Sequence, residues 1–287
     1  MTSPSGTGIV VFGAGRIGSS LARGIAEAAE CDADVFVTTR SGAPSARTEG
    51  LSLVSNADGA TRADYAFICT KPQDTAALLD EIRDDLRPNA VVVSFVSGLT
   101  TQWFEARLGA GRPVVRVMTT LAIELGCGAS VAAGGAHATP DHMSVVNSLL
   151  TAVGTSVEAP EDYLDAVSGI SGGGIAYFYF LVEVMTQAGV KEGLPVDLAR
   201  DLLIQAAVGA GEMMRASGRH PAQLREDVMS RGGQTIAAFR ELERHNVRDA
   251  LFDAVAAAHA RGRELASQSE LDRQQSKSTN DENAEPV

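Results

Sequence analysis

Two stretches of this 287-residue chain carry residues whose types and spacing could do chemistry. The first is Ile9-Val10-Val11-Phe12-Gly13-Ala14-Gly15-Arg16-Ile17-Gly18, an apolar strand pattern running into G-x-G-x-x-G and then a helical pattern. Gly13 permits a tight turn, Gly15 lets backbone approach a pyrophosphate, and Gly18 lets helix and strand pack closely. The helix N-terminus adds unpaired N–H groups and a positive dipole end. Strand, turn and helix in this order point to a dinucleotide held along Gly13, Ala14, Gly15, Arg16, Ile17 and Gly18; the plainer alternative is a Gly-rich turn that only packs tightly. The second stretch is Ser230-Arg231-Gly232-Gly233-Gln234-Thr235, where two glycines open a helix and expose N–H donors to an anion. An interhelical turn, with Thr235 as a helix cap, explains the same residues.

Which dinucleotide depends on the end of the second strand. NAD enzymes place an acid there for the ribose hydroxyls, and NADP enzymes place a cation for the 2′-phosphate. Here the strand ends Val37-Thr38-Thr39-Arg40-Ser41, and Asp34 stands at its start. Arg40 offers a planar fork, Thr39 and Ser41 offer hydroxyls, and no acid occupies that end, so NADPH is favoured over NADH. The alternative is that Arg40 is a solvated loop residue.

These residues need a scaffold. A single core rarely grows past ~250 residues, so the length predicts two domains. The first half alternates β-rich runs with amphipathic helices, the pattern of a parallel sheet with crossover helices. Strands are expected at Gly8–Phe12, Asp34–Thr38, Tyr65–Cys69, Val91–Phe95, Val114–Val117 and Ala129–Ala133, with an edge strand at Thr155–Glu158. Helices are expected at Ile17–Glu30, Asp74–Leu86, Thr101–Leu108 and Asp141–Ala152. After Pro160 only helical periodicity remains, over Tyr163–Val190, Pro195–Ser217, Thr235–His245 and Asn246–Ser267. The reading is therefore α/β followed by all-α: residues 1–160, residues 161–267 and a polar tail, 268–287, expected to be disordered. Tyr177, Phe178, Tyr179 and Phe180 make one helix of the second domain apolar nearly all round, which predicts burial against several neighbours.

Composition excludes several function classes. Thirty-six acids against twenty-four bases give a net charge of −12, which repels nucleic acid and anionic membrane. The apolar runs Ala90–Val96 and Ile175–Val182 fall short of the ~20 residues of a spanning helix, so no membrane partner is expected. Residues 1–8 lack a basic, apolar leader pattern. Cys31, Cys69 and Cys127 form no C-x-x-C pair, and His137, His142, His220, His245 and His259 form no metal spacing. The expectation is a reduced, cytoplasmic, metal-free protein. Its only lysines are Lys71, Lys191 and Lys277, which leaves few schemes for lysine catalysis.

From about Gly8 to Leu265 the chain resembles the pyrroline-5-carboxylate reductase family, which reduces a cyclic imino acid to proline with a nicotinamide cofactor. The resemblance is carried in order by Ala63-Asp64-Tyr65-Ala66-Phe67-Ile68-Cys69-Thr70-Lys71-Pro72-Gln73, Ser94-Phe95-Val96-Ser97-Gly98-Leu99-Thr100, Val115-Arg116-Val117-Met118 and Asp165-Ala166-Val167. It continues through Ala188-Gly189-Val190-Lys191-Glu192-Gly193-Leu194-Pro195 and His220–Val228 into Ser230–Ile236. It implies a Rossmann-like domain followed by a helical dimerisation domain, whose helices interlock in a homodimer or higher homo-oligomer, with the active site where the domains meet. It also implies that Thr70, Lys71, Pro72, Met118 and Thr119 border the cofactor. The turn Ser230, Arg231, Gly232, Gly233 and Gln234 would hold the substrate carboxylate, with the Thr235 hydroxyl near the imine nitrogen. Such a reaction needs a hydride, a proton and an anchored carboxylate, and neither lysine nor metal.

Three motifs depart from the family pattern. M-P-N-T-P is here Met118-Thr119-Thr120-Leu121-Ala122, G-S-G-P-A-Y is Gly172-Gly173-Gly174-Ile175-Ala176-Tyr177, and S-P-G-G-T-T is Ser230-Arg231-Gly232-Gly233-Gln234-Thr235. All lie around the pocket that the resemblance implies. A larger or substituted cyclic imino acid in a specialised pathway is thus an alternative substrate: Arg231 could pair with a second acidic group, and Leu121 and Ile175 would make walls more apolar. Against that, Arg231 could pair with Glu226 or Asp227. A non-catalytic NADP-binding sensor or scaffold dimer also fits, as does a β-hydroxyacid dehydrogenase with Lys191 as its acid/base.

Overall fold

The computed structural model describes residues 6–28, 33–109 and 111–282, with side chains to residue 264. Cys31 and the last five residues of the expected tail lie outside the described residues. The chain divides into two compact units, residues 1–172 with 259–287, and residues 173–258.

The first unit is built on one eight-stranded sheet: β1 (Thr7–Phe12), β2 (Ala33–Thr38), β3 (Ser52–Leu53), β4 (Tyr65–Ile68), β5 (Val91–Ser94), β6 (Val114–Met118), β7 (Gly128–Gly134) and β8 (Gly154–Glu158). Its order is β3-β2-β1-β4-β5-β6-β7-β8, parallel throughout except for the antiparallel β6–β7 pair. The connecting helices are α1 (Arg16–Glu27), α2 (Asn56–Arg62), α3 (Pro72–Ile82), α4 (Thr101–Leu108) and α5 (Pro140–Thr151). Alternation along β1 shows why the sheet needs helices on both faces. Ile9 and Val11 pack with Leu21 and Ile25 of α1 and Val146 and Leu150 of α5. Val10 and Phe12 pack with Leu79 and Ile82 of α3 and Phe104 of α4. Every residue of β1, β5 and β6 is buried, as a parallel sheet covered on both faces requires. The register aligns Phe12 with Thr38 on one side and Ile68 on the other, so three strands end together at one edge of the sheet.

The seven expected strands are present. β3 and α2 were not foreseen, because a two-residue strand and a helix containing Gly59 carry little periodicity. The segment after β8, with α6 (Leu164–Val167) and a π-helical stretch at Ser168–Gly172, groups with the sheet, not with the helices beyond residue 160. Arg116, only 3% exposed in the middle of β6, explains it. Its guanidinium bonds Glu161 at 3.4 Å and Asp165 at 2.9 Å, and Glu161 also accepts from Thr101 N and Oγ1.

The second unit contains α7 (Gly174–Lys191), α8 (Val196–Ser217), α9 (Pro221–Asp227), α10 (Gln234–Arg244) and the start of α11 (Val247–Glu282). Gly218 ends α8 in the left-handed conformation, at φ 60°. His220, whose Nδ1 accepts from Ala222 N, caps α9. α7 is not buried all round in the single chain: of its residues only Gly174 and Thr186 are buried, while Phe178, Tyr179 and Phe180 are exposed. By length and composition alone, one segment among the described residues, Glu161–Lys191, is long and apolar enough to cross a membrane, which a core helix also satisfies. α11 runs to Glu282, through a stretch without Pro or Gly to stop it.

Candidate active site

The common edge of β1, β2 and β4 opens on a cavity of about 540 Å³. Gly13 turns the chain there at φ 101°, where an L side chain is strained, and a Cβ on it would lie 3.0 Å from the Cys69 carbonyl oxygen. Gly13 N and Ala14 N donate to the Thr38 carbonyl at 3.3 and 3.0 Å, which ties the turn to the end of β2. Gly18 packs so closely that a Cβ would stand 2.2 Å from the Gly13 oxygen. Gly15 differs. Its φ is an ordinary −73°, and a Cβ there would meet nothing within 4 Å. The protein itself does not require glycine at this position; a ligand backed against the chain does. No side chain caps α1, and its first turn holds no acid, which leaves the positive end of the helix to an anion. These features fit a dinucleotide pyrophosphate.

The other walls come from β2 and β4. Thr70 Oγ1 lies 3.0 Å from Thr75 Oγ1, which donates to the Lys71 carbonyl at 3.0 Å and so fixes the start of α3 behind Pro72. Burial pushes the Cys69 thiol well above its usual range, so it stays protonated and is no nucleophile. At the end of β2, Thr39 Oγ1 donates to Ala43 O and Ser41 Oγ accepts from Ala43 N, both at 3.3 Å. Arg40 reaches across to an ion pair with Asp74 of α3. Asp74 was missed because it lies 34 residues along the chain from Arg40. Asn56, which also lines the cavity, was missed because α2 was not foreseen, and Glu81, in the expected helix α3, was missed because its partner is that Asn56.

Of the residues expected to hold cofactor, Gly13, Ala14, Gly15, Thr39, Arg40, Thr70 and Lys71 line this cavity. Arg16, Ile17, Gly18, Ser41, Pro72, Met118 and Thr119 are not part of its lining. Arg16 forms a two-pronged pair with Glu124, at 2.9 and 3.1 Å, whose hydrogen bonds hold the Glu124 carboxyl below its usual range. Ile17 packs on the core, Gly18 seats α1, and Pro72 starts α3. Met118 is buried with Leu164 at the end of β6, and Thr119 Oγ1 pairs with Ser130 Oγ at 2.8 Å. Thr120 Oγ1 accepts from Ala129 N at 3.2 Å, so the altered loop closes on its own hydroxyls before a 3-10 turn at Leu121–Leu125. Among the described residues no group of three His, Cys, Asp or Glu could hold a metal ion.

In the second unit, Ser230–Thr235 form one turn. Gly233 N donates to Ser230 O at 3.0 Å, Gly232 takes φ 72°, and Gly233 caps α10 without a side-chain bond. Thr235 is half-buried at the second position of α10, and its hydroxyl has no hydrogen-bond partner among the described residues, so it is not the cap. Arg231 and Gln234 are exposed. Asp227 pairs with Arg219 at 2.7 Å instead of Arg231, which makes no ion pair among the described residues.

A pyrroline-5-carboxylate reductase of Corynebacterium melassecola is 35% identical over 266 residues, covering 90% of this chain and 98% of that protein. The chain belongs to the pyrroline-5-carboxylate reductase family. The model described as pyrroline-5-carboxylate reductase dimerisation matches residues 161–265, and one described as NADP oxidoreductase, coenzyme F420-dependent, matches residues 8–98. The dimerisation match takes in the apolar segment Glu161–Lys191 and starts on the expected boundary, twelve residues before the second compact unit. Among solved structures, a Plasmodium falciparum pyrroline carboxylate reductase with NADP bound superimposes with TM-score 0.82 at 27% identity, covering 92% of this chain and all of that one. The Coxiella burnetii pyrroline-5-carboxylate reductase gives TM-score 0.83 at 27% identity, over 90% and 98% of the two chains. The fold is thus the Rossmann-like domain and helical dimerisation domain of this family.

Proposed function

We propose that this chain is an NADPH-dependent reductase converting pyrroline-5-carboxylate to proline, acting as a homodimer in the cytoplasm. The observation that carries the reading is similarity to reductases of that name along nearly the whole chain, through both the dinucleotide unit and the dimerisation segment. The open space over Gly15 and the free positive end of α1 support a bound dinucleotide. The free thiols Cys69 and Cys127 support a reducing compartment.

Bound NADPH supplies a hydride to the imine carbon. The chain must do the rest. Backbone N–H groups at Gly232 and Gln234 hold the substrate carboxylate, on a turn that the Gly233 N to Ser230 O bond keeps closed, and the Thr235 hydroxyl relays a solvent proton to the imine nitrogen. A threonine hydroxyl without an internal partner is available for that task. The exposed, unpaired Arg231 favours a second reading, in which the turn takes a larger imino acid with a further acidic group.

The test follows NADPH absorbance with pyrroline-5-carboxylate and with a panel of larger and alkylated cyclic imines. Turnover of pyrroline-5-carboxylate is expected. Thr235→Val should cut kcat by about tenfold to a hundredfold, Thr235→Ser should retain most of it, and NADPH affinity should be unchanged in both. Turnover of another imine alone would replace the substrate by the second reading. NADPH binding without turnover of any imine would overturn the catalytic reading.

A further inference from the structure

The sequence places a cation and no acid at the end of β2, and the fold brings an acid in from elsewhere. Asp74, the third residue of α3, pairs with the Arg40 guanidinium, and both side chains line the cavity at the ends of β1, β2 and β4. Asp74 is held from behind. Pro72 starts the helix, and Asp74 N donates to the Lys71 carbonyl at 2.9 Å. A carboxylate in the first turn is also favoured by the helix dipole. The Arg40 side chain is 79% exposed, so its direction is set by Asp74 and not by packing. Glu81, the other acid in the lining, is engaged by Asn56 Nδ2 at 3.0 Å and not by Arg40.

We infer that Asp74 sets the cofactor preference of this cavity, occupying the Arg40 fork that would take a 2′-phosphate and offering a ribose hydroxyl the acceptor that NAD-binding folds place at the end of the second strand. The inference rests on the nicotinamide-dependent reading above. Two effects act in one direction. Asp74 holds one Nη of Arg40, so a phosphate must displace that contact to use the whole fork, and the carboxylate stays close to a group that carries roughly −1.5 to −2 charge near neutral pH. A 2′-hydroxyl brings no such charge and can donate to Asp74. Arg40 alone would select NADPH strongly; Arg40 with Asp74 admits NADH as well.

The test is calorimetric titration of NADPH and NADH, without imine, into the wild type, Asp74→Asn, Arg40→Ala and the double variant. Asparagine keeps the size of the residue and its place in the helix. D74N is expected to tighten NADPH about twofold to fivefold, the scale of one exposed charge pair, and to leave NADH unchanged or weaker. R40A should weaken NADPH alone, and the gain from D74N should shrink in the double variant, because the carboxylate acts through the Arg40 fork. An unchanged ratio of the two dissociation constants in D74N would overturn the role of Asp74 while leaving the cofactor reading in place. A wild type that binds neither dinucleotide would overturn both.

Discussion

A Cβ added to Gly13 would press on the Cys69 carbonyl at 3.0 Å from a backbone at φ 101°, whereas one added to Gly15 would touch nothing. The two glycines of one motif thus meet different demands, one from the fold and one from a ligand. Gly13→Ala should cost about 1–3 kcal/mol of stability, the scale of a residue forced into a sparse backbone region, and should weaken NADPH binding as well. Gly15→Ala should leave the melting temperature unchanged and weaken NADPH by about tenfold, roughly 1.4 kcal/mol. Calorimetry and thermal unfolding on both variants check this; a Gly15→Ala protein that melts several degrees lower would mean that Gly15 serves packing. At this scale the sequence is legible where function follows from neighbours along the chain, as in Gly13–Gly18. It is illegible where the partner is distant. Asp74 stands in α3 as an ordinary first-turn acid, and nothing near it in sequence announces Arg40. Thr235 lies between: its residue type allowed a cap, and only the structure removes that role.

Among the elements, strands and crossover helices follow from apolar periodicity and are placed within a few residues, because burial on both faces of the sheet leaves a strong pattern. β3 and α2 escape for lack of one. The grouping of residues 161–172 with the sheet has a cause that periodicity does not carry. Glu161, Asp162 and Asp165 look like a solvated linker, yet Glu161 and Asp165 converge on Arg116, buried in a strand that otherwise reads Val-Val-x-Val-Met. Arg116 Nε is buried without a partner, so the guanidinium carries an unmet desolvation cost and is retained for the two carboxylates it holds. Arg116→Met should therefore destabilise the full chain by about 2–3 kcal/mol. That is less than the ~3–5 kcal/mol for a fully buried pair, because Glu161 and Asp165 are about a quarter exposed and can rehydrate. The triple change Arg116→Met, Glu161→Gln, Asp165→Asn should recover part of the loss. Denaturant unfolding decides it: a single variant within about 0.5 kcal/mol of wild type would show that Leu164 packing and the Thr101–Glu161 bonds hold the segment without Arg116.

For the whole molecule, the sequence-level expectation that α7 is covered on all sides conflicts with the single chain, where Phe178, Tyr179 and Phe180 are 62%, 67% and 62% exposed. The conflict resolves if a second copy supplies the missing neighbours, which agrees with the family's dimerisation segment spanning residues 161–265. Covering these exposed aromatic faces would contribute roughly 1–2 kcal/mol for each side chain towards association. Light scattering on the purified protein should accordingly give at least twice the 29.9 kDa of one chain. Phe180→Glu tests the surface rather than the fold, because most of that side chain already faces solvent within the chain. It should shift the mass towards one chain at micromolar concentration, lower the melting temperature in a concentration-dependent way, and reduce imine turnover in step with the loss of dimer. NADPH binding should survive, since the cavity at Gly15 and Arg40 is lined by residues 13–81 of the first unit alone. A Phe180→Glu protein that stays associated and fully active would move the interface off this face of α7. A monomer that turns over pyrroline-5-carboxylate at the wild-type rate would show that association serves stability and not chemistry.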